Sequence, residues 1–521
     1  MFIFQYQIVI HNLSGHLLQL AETEYEDLLS FMTPTSENTF EPFTSEARFG
    51  LNSIASVYGR YEDKQREIEL MLSDDCRDRD VSIIRIAGAC GVGKTTLAEL
   101  VYNELTANEI FDAWAWVSMN ERLDVNGVTK AIVESLTRSS CGLTELTEVQ
   151  EAVKEELLGK KFLLVLDNVC NDDLSFWGSL LVPLRVGARG SMVIATAREE
   201  KESVIMDMMH PYKLDRLSER DCWSVLQQRV FDGRGHKVQL RSIFDEIGKQ
   251  IVTRCEGLPL ALKAVGSLLR SELYVDSWIV VLQCSVWDED TNLPSLRVSY
   301  DHLAVHLKRC FQYCSLFPKG YMFERDRLVR LWMSEGFIEL EEGKPEEGTG
   351  NQYFNELLER SFLQHSPDCD FTEKKYVMHD LFHDLAQSVA MNKCFRAEAC
   401  KLSSIPEAVS HVSLVPSTYD TILQFGSFKE PRNIRSLLVI NCSKMKWESS
   451  VFHVENPTIL NDLFSQLGCL RTLDLSFTDI EVVPETIANL QHLRYLALNK
   501  TGIRKLPESI RELKYLQTLE L

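Results

Sequence analysis

The sequence predicts a multidomain chain: a doubly wound parallel α/β sheet, then a mostly helical stretch, then a partial leucine-rich solenoid. Three observations predict it. A Gly-rich loop lies between an apolar run and a helix-like run, over 81–105. Apolar strand-like runs alternate with helical patterns to about residue 213, the signature of a parallel sheet covered by helices. Leucines recur with a constant shift of 23 residues after position 470, within the roughly 20–29 residues of a leucine-rich repeat.

The loop at 88–96 reads Gly-Ala-Cys-Gly-Val-Gly-Lys-Thr-Thr and follows the run Val-Ser-Ile-Ile-Arg-Ile-Ala. Gly88, four residues, then Gly93-Lys94-Thr95 is a P-loop pattern in the strand–loop–helix context it needs. Gly88, Gly91 and Gly93 let backbone N–H groups turn inward around a phosphate. The helix that follows adds its free N–H groups and positive dipole end. Lys94 is then expected to reach the β- and γ-phosphates and Thr95 to hold Mg²⁺.

The next elements complete a sheet. Phe111 to Val117 is an aromatic-rich second strand, and 128–136 and 146–158 are helical by spacing. The run 161–166 (Lys-Phe-Leu-Leu-Val-Leu) is the apolar kind buried on both faces. It ends at Asp167, where a P-loop protein holds Mg²⁺ directly or through water. Asn168 follows; an amide is not a base, so binding is expected without efficient hydrolysis. The strand 191–195 ends near Thr196 and Arg198. Arg198 reads equally as a γ-phosphate contact or a surface arginine.

From about 214 to 400 the pattern is helical: 218–229 capped by Ser218, then 243–255, 260–270, 296–316, 325–335 and 351–361, with 341–350 a loop. Upstream, 58–72 is helical, 21–32 is a weak amphipathic helix, and Pro34 and Pro42 mark an irregular stretch to about residue 50. In the last segment Leu470, Leu473 and Leu475 return as Leu493, Leu496 and Leu498, then as Leu516, Leu519 and Leu521. Pro484 returns as Pro507, and weaker echoes stand at 411–414 and 434–439. One such repeat cannot bury its own leucines, so neighbours must stack. The third strand reaches the last residue, so the solenoid reads as incomplete.

Composition narrows the function. A net charge of -21 argues against general nucleic-acid binding, which needs a basic face. The 14 cysteines include no C-x-x-C pair. With no secretory signal they read as reduced cytoplasmic thiols. No apolar run reaches the ~18 residues of a transmembrane helix. His379-Asp380-Leu381-Phe382-His383 places two histidines four apart, as zinc ligands on a helix stand, but with Asp for the catalytic Glu and no evident third ligand.

These motifs, in this order, resemble the plant nucleotide-binding leucine-rich-repeat disease-resistance proteins of the coiled-coil class, with their NB-ARC module. The resemblance spans about 57–521. It rests on Val57-Tyr58-Gly59-Arg60, the P-loop, and Phe111-Asp112 with Ala115-Trp116-Val117-Ser118. It continues through 163–169 and 190–198, Leu217-Ser218 with Asp221-Cys222-Trp223, and Gly257-Leu258-Pro259-Leu260. It ends on 310–320 and Met378-His379-Asp380.

The resemblance implies five segments: a short N-terminal remnant or linker (1–56), the P-loop nucleotide-binding domain (57–213), a small helical domain (214–285), a winged-helix domain (286–400) and incomplete leucine-rich repeats (401–521). It implies a switch in innate immunity, with ADP holding the closed state and ATP opening it. The partners implied are a pathogen effector or guarded host protein, and other copies of the chain when active. By position it assigns Val57 and Arg60 to the adenine border and Pro259 to packing on the adenine. Gly88, Gly91, Gly93, Lys94, Thr95 and Thr96 go to the phosphates, Thr95 and Asp167 to Mg²⁺, Arg198 to the γ-phosphate, and His379 to the ADP β-phosphate.

Three positions depart from the family pattern: Asn168 stands for a usual second Asp, Ala89-Cys90 for a common Gly and Met, and 56 residues for a larger four-helix signalling domain. The first leaves at most a weak ATPase. Two other readings stay open, a P-loop ATPase or kinase turning over substrate, and a repeat scaffold with an inert nucleotide fold.

Overall fold

The computed structural model describes residues 57–73, 76, 79–119, 124–169, 173–197, 209–231, 241–271, 274–288, 294–340, 343–366, 374–390, 392–398, 405–406, 408–415, 422–423, 433–440, 453–454 and 459–521. The helix expected at 21–32 and the irregular stretch after it lie outside these residues, as does Arg198. The chain forms two compact units. One takes Arg216–Ser299 with the described residues up to Glu62; the other joins Asp63–Asp215 to Tyr300–Leu521.

After α1 (Tyr61–Met71), most of which belongs to the larger unit, comes that unit's five-stranded parallel sheet. Its strands are β1 (Val81–Ala87), β2 (Ala113–Ser118), β3 (Phe162–Val169), β4 (Ser191–Ala197) and β5 (Met209–Lys213), in the order β2-β3-β4-β1-β5. The helices α2 (Lys94–Ala107), α3 (Val125–Thr137), α4 (Leu146–Leu157) and α5 (Leu174–Leu181) cross between strands. β3 and β4 are buried at almost every position, as expected for strands covered on both faces. β5 is not evident in the sequence because Pro211 interrupts it. A proline lacks the ladder donor and is tolerated at a sheet edge, where β5 lies.

The smaller unit is helical: α6 (Glu219–Phe231), α7 (Arg241–Arg254), α8 (Pro259–Ser271) and α9 (Val275–Leu282). Ser218 caps α6 as expected, its Oγ accepting from Asp221 N at 3.1 Å. Phe231 stacks on Trp278, and Phe244 meets both rings edge-on.

Back in the larger unit, the run 296–316 is not one helix. It divides into α10 (Pro294–Asp301), which spans the boundary between the units, α11 (Val305–Tyr313) and a 3₁₀ turn, Cys314–Leu316. After α12 (Arg325–Glu335) the expected loop 341–350 closes early, because α13 (Glu346–Glu359) begins behind Pro345 with two acids in its first turn. Gly350 is required inside that helix: a Cβ there would lie 2.5 Å from Val329 Cγ1. A two-stranded wing, β6 (Gln364–His365) with β7 (Tyr376–Val377), precedes α14 (Asp380–Ala390). Phe311, Phe362 and Phe382 meet edge-on or tilted in this winged-helix core.

The repeats build a six-stranded parallel sheet in the order β15-β14-β13-β11-β9-β8. The strands are β8 (Cys394–Glu398), β9 (His411–Val415), β11 (Ser436–Val439), β13 (Thr472–Asp474), β14 (Tyr495–Ala497) and β15 (Thr518–Glu520). Two short strands, β10 (Ile422–Leu423) and β12 (His453–Val454), pair separately, and α15 (Ile459–Gln466) precedes β13. The echoes at 411–414 and 434–439 are thus strands of the same sheet, and β8 adds one more before residue 401. Thr472, Tyr495 and Thr518 are in register, 23 residues apart. Leu470, Leu473, Leu475, Leu493, Leu496 and Leu498 fill one core beneath them. The polar positions on the opposite face meet α12 of the winged helix. Asp474 Oδ2 accepts from Arg327 at 2.7 Å, and Glu335 Oε1 accepts from Ser436 and Thr472, both at 2.6 Å.

Candidate functional site

The strand order puts β4 between β1, which feeds the Gly-rich loop, and β3, which ends in Asp167. All strands run parallel, so these three carboxyl ends share one edge of the sheet, the place where open α/β sheets bind ligands. The loop has the backbone its residues predict. Gly91 and Gly93 take φ of +77° and +100°, the left-handed region where a side chain is strained. At Gly88 a Cβ would stand 2.7 Å from the Leu214 carbonyl, so only glycine fits. Gly93 is the N-cap of α2. No side chain caps the helix and its first turn holds no acid, so its positive end faces the loop.

Lys94 folds back over the loop, its Nζ donating to the Gly88 and Ala89 carbonyls at 2.8 and 3.0 Å. Thr95 Oγ1 donates to Asp167 Oδ1 at 2.8 Å. Thr196, at the end of β4, donates to the same oxygen at 2.6 Å. Asp167 is buried. Two hydroxyls and a carboxylate therefore converge beside the loop. This is an oxygen-only donor set of the kind Mg²⁺ prefers. The glycine cradle, the open helix terminus and this donor set fit a phosphate group with its cation. Thr96 is half-buried on the first turn of α2.

β3 breaks register with β4 between Leu166 and Val169, and Asn168 adopts φ +63°. Such a bulge re-aims side chains, and asparagine tolerates the left-handed region better than most residues. Asp167 faces Thr95 and Thr196. Asn168 donates its backbone N–H to Thr196 Oγ1 at 2.8 Å and its Nδ2 to Asp380 Oδ2 at 3.3 Å. Asp380 opens α14, so the winged helix meets the edge of the sheet beside Asp167.

His379 is half-buried, and its Nδ1 accepts from Leu381 N at 3.2 Å. In the neutral ring that bond leaves the proton on Nε2, as a donor. His383, the other histidine of the zinc-like pair, is buried, with Nε2 2.7 Å from the Phe317 carbonyl. Its burial lowers its pKa. A side chain engaged this way is a core histidine. Among the described residues no group of three or more His, Cys, Asp or Glu is placed to hold a metal ion.

Apart from Arg198, which lies outside the described residues, the remaining assigned residues lie in the smaller unit. Val57 is half-buried and Arg60 is buried. Gly59 before it takes φ +70°, and a Cβ there would lie 2.8 Å from Asp221 and Leu217. Pro259 is the first residue of α8, where its missing N–H is harmless. Gly257 turns the chain into that helix at φ +73°, its carbonyl accepting from Leu217 N at 3.0 Å.

Gly88, Gly91, Gly93, Lys94, Thr95, Thr96, Asp167 and His379 thus all belong to the larger unit. Two participants were not singled out in the sequence as site residues. Thr196 had one available signal, a polar side chain closing a buried apolar strand. The Asn168–Asp380 contact joins positions 212 apart and had none.

Comparison with known proteins agrees with this order of parts. The NB-ARC domain model matches residues 62–236, the disease resistance protein winged helix domain 316–386, and a leucine-rich repeat region 450–521. The putative disease resistance RPP13-like protein 1 of Arabidopsis thaliana is 37% identical over 468 residues, covering 84% of this chain and 44% of that protein. The putative disease resistance protein RGA1 of Solanum bulbocastanum is 34% identical over 441 residues, covering 84% of this chain and 41% of that protein. The chain spans less than half the length of these relatives. Its P-loop sheet, winged helix and repeats, matched in that order, place it in the plant disease-resistance family of NB-ARC leucine-rich-repeat proteins.

Proposed function

We propose that the chain is an adenine-nucleotide switch of plant defence, off with ADP and on with ATP. The observation that carries this reading is the junction at the sheet edge. Asp167 closes on the P-loop through Thr95, and its neighbour Asn168 touches Asp380 of the winged helix. A phosphate group gripped at Gly88–Thr95 side by side with that junction supplies charge that the two parts must share. Lys94 and the α2 terminus neutralise it, Thr95 and Asp167 hold Mg²⁺, and His379 offers an Nε2 donor from the winged helix. Adenine contacts at Val57, Arg60 and Pro259, and a γ-phosphate contact at Arg198, are assigned on the family resemblance alone.

Because one ligand engages two parts, a change in its phosphates shifts the balance between closed and open forms. The repeats serve recognition or autoinhibition. The polar contact of α12 with β11 and β13 supports the second role. A pathogen effector or guarded host protein, and other copies of the chain in the active form, are the partners in this reading, and the cytoplasm is its compartment. Among the described residues no helix is long and apolar enough to cross a membrane. Hydrolysis is at most slow, since Asn168 supplies no base.

Replacing Asp380 by Val tests the reading. It removes the carboxylate from the junction and is expected to speed release of bound ADP. Release at the wild-type rate would count against His379 and Asp380 as the closing element.

A further inference from the structure

We infer that Asn168 is a positioning residue that latches the winged helix to the nucleotide sheet, and that its amide is what makes this latch work. Beyond lacking a base, the side chain supplies a donor. Nδ2 stands 3.3 Å from Asp380 Oδ2, and the backbone N–H is held by Thr196 Oγ1 at 2.8 Å. The bulge at the end of β3 turns Asn168 toward Asp380 while Asp167 stays on Thr95 and Thr196. A carboxylate at position 168 would put two like charges at the Asn168–Asp380 separation. An amide there turns the same approach into a hydrogen bond to a charged acceptor, which is stronger than a neutral one. Position 168 thus carries a group that can hold the winged helix and cannot act as a base toward water. The latch stands one residue from Asp167, which faces Thr95 at the end of the Gly-rich loop.

The latch predicts a charge-reversal rescue. Asn168→Asp keeps size and shape, and aspartate also tolerates the left-handed backbone at this position. It should speed ADP release about tenfold, the factor for two like unit charges at this distance even in a water-like medium. Asp380→Asn in the wild-type background removes the charge and should have a smaller effect. The double variant N168D/D380N restores a carboxylate–amide pair in the reverse sense and should return to within about threefold of wild type. Rescue separates the latch from repulsion between the introduced carboxylate and the neighbouring Asp167, which D380N leaves in place.

The nucleotide arm rests on the switch reading, so the same four proteins are also compared by hydrogen exchange of α14. N168D should lose protection there and the double variant should regain it. Wild-type protein that binds no adenine nucleotide would sink the switch reading and leave the exchange test standing. N168D indistinguishable from wild type in both measurements, or a double variant no better than N168D, would overturn the latch. If N168D alone fails to fold, recovery of folding by D380N supports the latch and continued failure overturns it.

Discussion

The contact between the winged helix and the repeats is held in part by one unequal ion pair, which sets up a directional prediction. Arg327 on α12 donates to Asp474 Oδ2 at 2.7 Å. The Asp474 side chain is completely buried, whereas that of Arg327 keeps 23% of its surface. Arg327 also donates to Tyr321 Oη at 2.6 Å, and Asp474 Oδ1 accepts from Ser476 N at 2.9 Å. Arg327→Met strands a carboxylate with one backbone donor and no route to water. Leaving one member of a buried pair uncompensated costs about 3–5 kcal/mol. Asp474→Ala strands a guanidinium that can turn toward solvent and keeps its tyrosine partner. Its cost is nearer the ~1–3 kcal/mol of a lost charged hydrogen bond. The double change Arg327→Met with Asp474→Leu replaces the pair by apolar groups and should recover most of the loss. Native-state hydrogen exchange on α12 and β13 reads the local free energy directly, which suits a chain of several domains. An Asp474→Ala loss as large as that of Arg327→Met, or a double variant no better than Arg327→Met, would contradict this asymmetry.

Three further outcomes follow from buried groups. Glu67 on α1 is fully buried, neither carboxylate oxygen has a hydrogen-bond partner among the described residues, and burial with Asp63 nearby raises its pKa from 4.5 to about 8. Its contribution is present in full below pH 4.5 and is lost as pH rises toward 8. Glu67→Gln should therefore stabilise by up to ~3 kcal/mol at pH 7 and little at pH 4.5, as denaturant unfolding at the two pH values would show. His411 runs the other way. Burial, with Arg435, Arg471 and Lys393, pushes its pKa from 6.5 down to about 3. Its contribution is present above pH 6.5 and falls as pH drops toward 3. His411→Gln should remove about 2–3 kcal/mol of the loss in stability between pH 6.5 and 4.5. In the smaller unit, a Cβ on Gly248 would come 2.2 Å from the Trp223 ring. Gly248→Ala should destabilise that unit by roughly 1–3 kcal/mol in thermal unfolding, through overpacking of α7 on α6.

Much of the candidate site was legible because its parts are local in sequence. Gly88, Gly93, Lys94 and Thr95 must lie within one turn, and Asp167 must close a buried strand, so spacing and hydropathy reveal both. The repeats were legible because stacking forces a constant period on Leu473, Leu496 and their neighbours. The strand β5 was hidden by Pro211, whose tolerance depends on an edge position that only the sheet defines. The division of 296–316 was hidden because apolar spacing continues across His302–Ala304. The start of α13 was hidden because Gly348 and Gly350 read as loop, although Gly350 is needed for close approach to Val329. Relations made by topology were out of reach. Asn168 beside Asp380, Thr196 beside Asp167, and Glu335 between Ser436 and Thr472 each join residues far apart in the chain.

The proposed switch depends on the Gly-rich loop gripping an adenine nucleotide and holding it. The direct test is to purify the folded chain, denature it, and identify by chromatography what is released, with Lys94→Ala treated in parallel. ADP is expected at about one per chain for the wild type, and little for Lys94→Ala. Well-folded wild-type protein that releases no adenine nucleotide, and takes up none when ADP and Mg²⁺ are supplied, would contradict it.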